Sequence, residues 1–281
     1  MGADFFKRCR ENYSMLVGVV TLLFVILVVI FVPMFSQHDP NKIHYDKILK
    51  PPSSENLLGT DSFGRDLLTR VGVGGRVSMS IGLQVMLGTT VLGVLIALLA
   101  GWYDKFDVVV MRFMDVLMSF PSLLMAIALA GVFSNSTMGV SIALTIAYTP
   151  RTVRIVRSAI LTIREEVYVE AARSIGVKPF GIMFGHILPG TFPVLIVQET
   201  FLFAYAILAE SGISFVGVGV QPPNASWGNI LSDATTLMRE APWAVMIPGC
   251  AIILTVLALN LIGDGLREIL DPKRMKGKAY E

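Results

Sequence analysis

The stretch Val116–Pro150, VLMSFPSLLMAIALAGVFSNSTMGVSIALTIAYTP, runs for 35 residues without a charged side chain. Within it, Ser134-Asn135-Ser136-Thr137 interrupts an otherwise apolar pattern. A helix needs about 20 apolar residues to cross a hydrocarbon core roughly 30 Å thick. The stretch therefore reads as a helical hairpin: a span from about Val108 to Val132, a tight turn, and a second span from Met138 onward. Working outward, Ser14–Phe35 is almost pure Val, Leu, Ile and Phe, and Ser78–Gly101 carries no charge. Thr191–Gly212 encloses Glu199 and Glu210, and Pro242–Gly263 is again apolar. Six spans predict an all-α integral membrane protein with both ends on one side.

Composition agrees. Of 281 residues, 54% are hydrophobic and 16% charged, against roughly 25% charged in a soluble domain. Disorder, a fibrous fold and nucleic-acid binding are excluded, because each needs a polar or strongly basic chain. Cys9 and Cys250 are the two cysteines, too few for a disulfide framework or a zinc cluster.

Orientation follows from Lys and Arg, which are enriched in short cytoplasmic segments. With the N-terminus inside, the inner segments hold sixteen of the twenty-three basic residues: Lys7, Arg8 and Arg10; Lys105 and Arg112; Arg151, Arg154, Arg157, Arg164, Arg173 and Lys178; Arg267, Lys273, Arg274, Lys276 and Lys278. Both termini are expected to be cytoplasmic. The first apolar run exceeds a signal-peptide core and lacks a small-x-small cleavage site, so it reads as an anchor. The organisation expected is residues 1–77 (N-terminus, first helix, outer segment), a five-helix core over 78–265 with a loop at about 159–189, and a tail over 266–281.

Two segments are more than connectors. Outside, Ser36–Val77 contains Leu58-Gly59-Thr60-Asp61-Ser62-Phe63-Gly64-Arg65-Asp66, which either packs on the outer mouth or is a solvated loop. Inside, Arg151, Arg154 and Arg157 share one helix face and are expected to meet lipid head groups. Tyr168, Ala171, Ala172 and Ile175 then follow the spacing of an apolar helical stripe, opposite Glu166, Glu170 and Arg173. Gly176 is placed to stop that helix. Pro179 starts a second short helix running to His186, and Pro189 marks where the fifth span begins. Such a helix-Gly-helix element suits docking on a partner or lying on lipid.

These residues carry a resemblance. Glu170-Ala171-Ala172, Gly176 after three intervening residues, and Leu188-Pro189 resemble the EAA signature E-A-A-x3-G-x9-I-x-L-P of ABC importer permeases, with His186 where isoleucine is expected. Leu58–Asp66, the run Ser214-Phe215-Val216-Gly217-Val218-Gly219-Val220-Gln221-Pro222-Pro223 with Ser226-Trp227-Gly228, and Asp271-Pro272 are similar to the C-type subunit of the dipeptide, oligopeptide and nickel branch. The resemblance implies a type I importer permease fold in a bacterial inner membrane. It implies that Glu170, Ala171, Ala172, Gly176, Leu188 and Pro189 form a coupling helix and its flank, seated on a cytoplasmic ATPase. The partners it implies are a second homologous permease, two ATP-binding subunits that hold ATP and Mg, and an extracytoplasmic binding protein delivering short peptides.

The chain contains no G-x4-G-K-[ST] loop and no H-E-x-x-H, and Gly212–Val216 fails the G-x-S-x-G pattern. No cofactor, metal or catalytic residue is expected in it. A nickel or metal-chelate importer is the alternative within the family, and an ATPase-independent secondary transporter the alternative outside it. Glu199 and Glu210 are intramembrane carboxylates and so candidates for the translocation path, or else Glu210 sits at the outer interface and Glu199 pairs with a neighbouring helix or the other subunit. Asp115 with Arg112 and Asp264 with Arg267 are spaced for helix-face ion pairs. Trp102, Trp227 and Trp243 fall near span boundaries, as an aromatic belt would.

Overall fold

A computed structural model describes residues 9–133 and 136–270. The expectations attached to Lys7, Arg8, the Ser134-Asn135 turn, Asp271-Pro272 and the basic tail lie outside the described residues.

Helix α1, Tyr13–Phe35, opens on Asn12, whose Oδ1 accepts the Met15 N–H at 3.0 Å. Pro33 lies within it and cannot donate to the carbonyl of Val29 four residues back. That carbonyl is served by helix α2, Leu67–Trp102, whose Arg76 donates Nε to Val29 O at 2.9 Å and Nη2 to Ile30 O at 2.6 Å. Helix α2 thus begins eleven residues before the expected Ser78, because Asp66 caps it by accepting the Thr69 N–H at 2.9 Å. The arginines that favoured a loop there are absorbed by backbone carbonyls: Arg70 Nη1 donates to Pro40 O at 2.9 Å.

The single third span expected from Val108 to Val132 is instead two helices, α3 (Asp104–Met118) and α4 (Ser122–Val132), bent by 91°. Pro121 has no N–H and disfavours helical backbone at Phe120, so the helix stops at Met118 and restarts after the proline. Helix α5, Thr137–Arg164, is capped by Ser136 and passes through Pro150 without stopping. Then come α6 (Val167–Ser174), α7 (Pro179–Ile182), a π-turn over Met183–Ile187 and α8 (Leu188–Phe215). Helix α9 (Trp227–Thr235) begins at a capping box, Ser226 with Asn229, and α10 spans Pro242–Leu270.

Helices α1, α2 and α10 and the continuous run Pro179–Phe215 are each long and apolar enough to cross a membrane; α3 and α4 qualify only as a bent pair. Helix α5 is 28 residues long but carries Arg151, Arg154, Arg157 and Arg164 along its second half. Large apolar side chains such as Val20, Phe24, Leu87, Val91 and Ile253 face outward, as lipid-facing positions do.

Three apolar cores organise the bundle. At the basic end, Val94 and Leu98 of α2, Met114 of α3, Val153, Val156 and Ile160 of α5, and Val169, Ala172, Ile182 and Ile187 of the loop pack together. At the opposite end, Ile81 and Val85 of α2, Ala126 and Ala130 of α4, Val140 to Ala147 of α5, and Ala206 and Ile213 of α8 form a second core. A third joins α1, α9 and α10 around Trp227.

Candidate functional site

The loop element at the basic end is built as its sequence dictates. Helix α6 ends in a Schellman motif: Val177 N–H donates to Ala172 O and Gly176 N–H to Arg173 O, both at 3.1 Å. Gly176 takes the left-handed φ of +82° that this motif requires. Pro179 occupies the first turn of α7, where its missing N–H costs nothing. The π-turn precedes Pro189, and Leu188 N–H reaches Met183 O across the widened turn.

The expected apolar stripe of α6 divides. Ala172 turns inward beside Val169, 5% and 0% exposed, and locks the element to the basic-end core. Tyr168 (47%) and Ile175 (81%) turn outward instead, joined by Val167 and by Phe180 of α7. Beside this strip lies a cleft lined by Trp102, Asp104, Arg164, Glu165, Glu170 and Arg173. Both basic neighbours of Glu170 are engaged elsewhere: Arg164 donates to Gly101 O at 2.9 Å and approaches Asp104, while Arg173 lies 5.1 Å over the Trp102 ring. Glu170 makes no ion pair among the described residues, so an exposed carboxylate stands next to an exposed apolar strip. Leu188 and Pro189 are half-buried and exposed at the base of α8.

The arginine face of α5 has partners within the chain. Arg154 pairs with Asp115 at 2.6 Å and Arg157 forms a two-pronged pair with Asp107, while Arg151 lies 5.5 Å over the Tyr205 ring. Asp115 therefore pairs across to α5 and not with Arg112, since one helix crossing another brings opposite charges closer than its own surface does. Asp264 and Arg267 form no ion pair among the described residues.

Glu199 and Glu210 are both buried, at 6% and 0% exposure. Glu199 accepts from Thr89 Oγ1 of α2 and Thr152 Oγ1 of α5, each at 3.1 Å. Glu210 sits among Ser78, Ser211, Ser214 and Ser226. Ser214 Oγ donates to its Oε1 at 2.7 Å, while Oε2 and Ser211 Oγ have no hydrogen-bond partner among the described residues. Neither carboxylate opens onto a surface of this chain; Glu199 ties its helix to α2 and α5, while the hydrogen bond from Ser214 to Glu210 stays within α8. Sequence spacing does not reveal Thr89 or Thr152, which lie over forty residues from Glu199.

At the end away from the loop, Leu58–Asp66 is packed, not solvated. The Asp61 carboxylate accepts the N–H groups of Phe63 and Arg65 at 2.9 Å and Arg65 Nε at 2.6 Å, and lies 3.3 Å from Arg70 Nε. Asn56 Nδ2 donates to Asp66 at 2.8 Å. Gly64, at φ +71°, is pressed against His44, whose carbonyl oxygen would sit 1.9 Å from any added Cβ. Arg65 reaches Asp233 of α9 at 3.4 Å. Burial raises the Asp233 carboxyl above its ordinary value, against the pull of Arg65 and Arg70. Trp227 corrects the aromatic-belt expectation: it is 1% exposed, and its indole N–H donates to Val71 O at 2.9 Å. Trp102 and Trp243 likewise face protein groups, Arg173 and Thr60 O.

Comparison with known proteins agrees with this architecture. Residues 89–276 match the family model described as binding-protein-dependent transport system inner membrane component, and residues 1–52 match the N-terminal TM domain of oligopeptide transport permease C. A putative peptide transport system permease protein of Brucella abortus is 45% identical over 272 residues, 96% of this chain and 92% of that protein. The dipeptide transport system permease protein DppC of Alkalihalophilus pseudofirmus is 39% identical over 269 residues, 95% and 88% of the two chains. The glutathione transport system permease protein GsiD of Pectobacterium atrosepticum is 36% identical over 272 residues, 96% and 90%. Among solved structures, an amino acid ABC transporter superposes with a TM-score of 0.56 at 14% identity, over 71% of this chain and 93% of that one, a likeness of fold. The chain belongs to the binding-protein-dependent transport system inner membrane components, the multi-pass permeases of ABC importers.

Proposed function

We propose that this chain is the C-type permease of an ATP-driven importer of short peptides, with the α6–α7 element as the seat of a cytoplasmic ATPase. The observation that carries the reading is the exposed strip of Val167, Tyr168, Ile175 and Phe180 beside the exposed Glu170, which has no ion pair among the described residues. An apolar patch rimmed by charge on an otherwise polar end marks a protein contact. Gly176, Leu188 and Pro189 fix its shape, and Ala171 and Ala172 keep its surface and its base small. Both termini then lie in the cytoplasm, in keeping with the arginines gathered at that end.

The work of transport is divided. ATP and Mg belong to two partner ATPases, a second homologous permease completes the membrane unit, and an extracytoplasmic binding protein presents the substrate at the end built from residues 36–66 and α9. This chain performs no bond chemistry. The peptide assignment draws on relatives named for peptide, dipeptide and glutathione transport, and the match to the oligopeptide permease C domain supports it. It is tested by uptake of labelled dipeptides and of nickel in cells carrying the chain with its partner subunits, against a deletion strain. Dipeptide uptake that stops on ATP depletion is expected. Nickel uptake alone, or transport that survives ATP depletion on an ion gradient, contradicts the reading.

A further inference from the structure

The basic-end and opposite-end cores are separated by a layer in which the long helices change character together. In α2 it holds Gly88, Thr89, Thr90 and Gly93, lying between Val85 of one core and Val94 of the other. In α5 it holds Tyr148, Thr149, Pro150 and Thr152, between Ala147 and Val153. In α8 it holds Gln198, Glu199 and Thr200, between Leu195 and Ala206. The break at Ser119–Pro121 falls in the same interval, with Met114 of α3 in one core and Ala126 of α4 in the other.

Each helix is weakened there for a chemical reason. Pro150 donates no hydrogen bond to Ile146 and strains the turn before it. Thr89 and Thr90 bond back to Met86 O at 2.9 and 2.7 Å, Thr149 to Thr145 O at 2.6 Å and Thr200 to Ile196 O at 2.8 Å; such back-bonding favours bending. Across the layer, Gly88 faces Thr145 and Gly93 faces Thr152 at distances that leave no room for a Cβ.

We infer that Glu199 is a positioning residue whose carboxylate, bridging Thr89 and Thr152, clasps three helices at a hinge between the basic-end and opposite-end bodies of the permease. The inference rests on the importer reading above. The clasp is built to release. Thr89 has one hydroxyl proton but three acceptors in reach: Glu199 Oε2 at 3.1 Å, Val85 O at 2.8 Å and Met86 O at 2.9 Å. When α8 moves away, the hydroxyl turns to its own helix and is not orphaned, so opening does not incur the cost of a buried unpaired donor. Helix α3 travels with the basic-end body through Asp107–Arg157 and Asp115–Arg154. Helix α4 stays with the other, and the 91° bend between them changes.

The test uses the assembled transporter, with Cys9 and Cys250 replaced and spin labels at Lys105 of α3 and Val132 of α4. At 1.5 Å per residue these arms extend about 20 and 15 Å from the bend, so a change of about 20° moves the far label by about 5 Å. Nucleotide is expected to shift the label distance in the otherwise native transporter and in Glu199→Gln, which can bond both threonines. In Glu199→Leu the shift is lost, and uptake per ATP hydrolysed falls roughly tenfold, while the ATPase subunits still co-purify. Thr89→Val is expected to fall between the two. A Glu199→Leu transporter with the native distance shift and native uptake per ATP overturns the clasp, as does a transporting parent whose label distance never moves. Loss of ATPase co-purification from the parent would instead count against the importer reading, a separate outcome.

Discussion

Gly176 shows how a single dihedral angle decides a surface. A Cβ there meets nothing within 4 Å, so space is not the constraint; the φ of +82° is. Gly176→Ala is expected to destabilise the α6–α7 turn by about 1 kcal/mol, read as faster proteolysis or hydrogen exchange confined to residues 167–182. Asp233 offers a titration at the same scale. Its carboxyl is raised by burial, so the folded protein holds its proton to higher pH than the unfolded chain does. Its contribution is therefore fully present below the ordinary aspartate range and is lost as pH rises through the raised value. Asp233→Asn removes that dependence. Its thermal midpoint relative to the parent protein's should rise as pH climbs above the ordinary aspartate value of about 4, and a constant difference would contradict the assignment. Gly176 was legible because a helix-stopping glycine has a local signature. Asp61, Asp66 and Trp227 were visible as a motif only: Arg70 and Asn56 reach the two aspartates through an irregular loop fold that no helical or strand period describes, and the Val71 carbonyl that Trp227 meets lies 156 residues away.

At the scale of elements, long apolar runs were read well and their ends poorly. Charge counts placed the start of α2 at Ser78, but Asp66 caps it and Arg76 finds carbonyls on α1, so a helix bearing arginines begins at Leu67. The third span failed for the opposite reason: hydropathy is blind to Pro121, which divides α3 from α4. The arginines of α5 have partners that the spacing did not show, Asp107 and Asp115 of a neighbouring helix. Because Arg157 and Asp107 are both partly buried, Arg157→Met should leave a carboxylate uncompensated and cost about 2 to 3 kcal/mol, and the double variant with Asp107→Leu should recover part of it. The exposed pair Arg154–Asp115 should be worth less than about 1 kcal/mol in the same cycle. Equal coupling energies for the two pairs would show that α3 is not held as described.

The whole molecule is a stack of two apolar bodies with a polar layer between them, plus a flank formed by α1, α9 and α10. The family match places that stack in an importer, and the proposed function makes the exposed strip on α6–α7 the place where a partner's force enters it. The sequence could not show which side of α6 faces out, because Tyr168, Ala172 and Ile175 fit one stripe by spacing. Only folding reveals that Ala172 anchors the loop while Ile175 is left bare. That distinction supplies the decisive variant, since Ala172 cannot be changed without disturbing the core and Ile175 can. The measurement is the amount of ATP-binding subunit retained when the transporter is purified in detergent with Ile175→Glu, with Glu55→Gln at the far end as control. Retention is expected to fall at least tenfold for Ile175→Glu, as for a central contact residue, with membrane insertion intact and the control unchanged. Full retention together with undiminished uptake would contradict the docking surface on which the account depends.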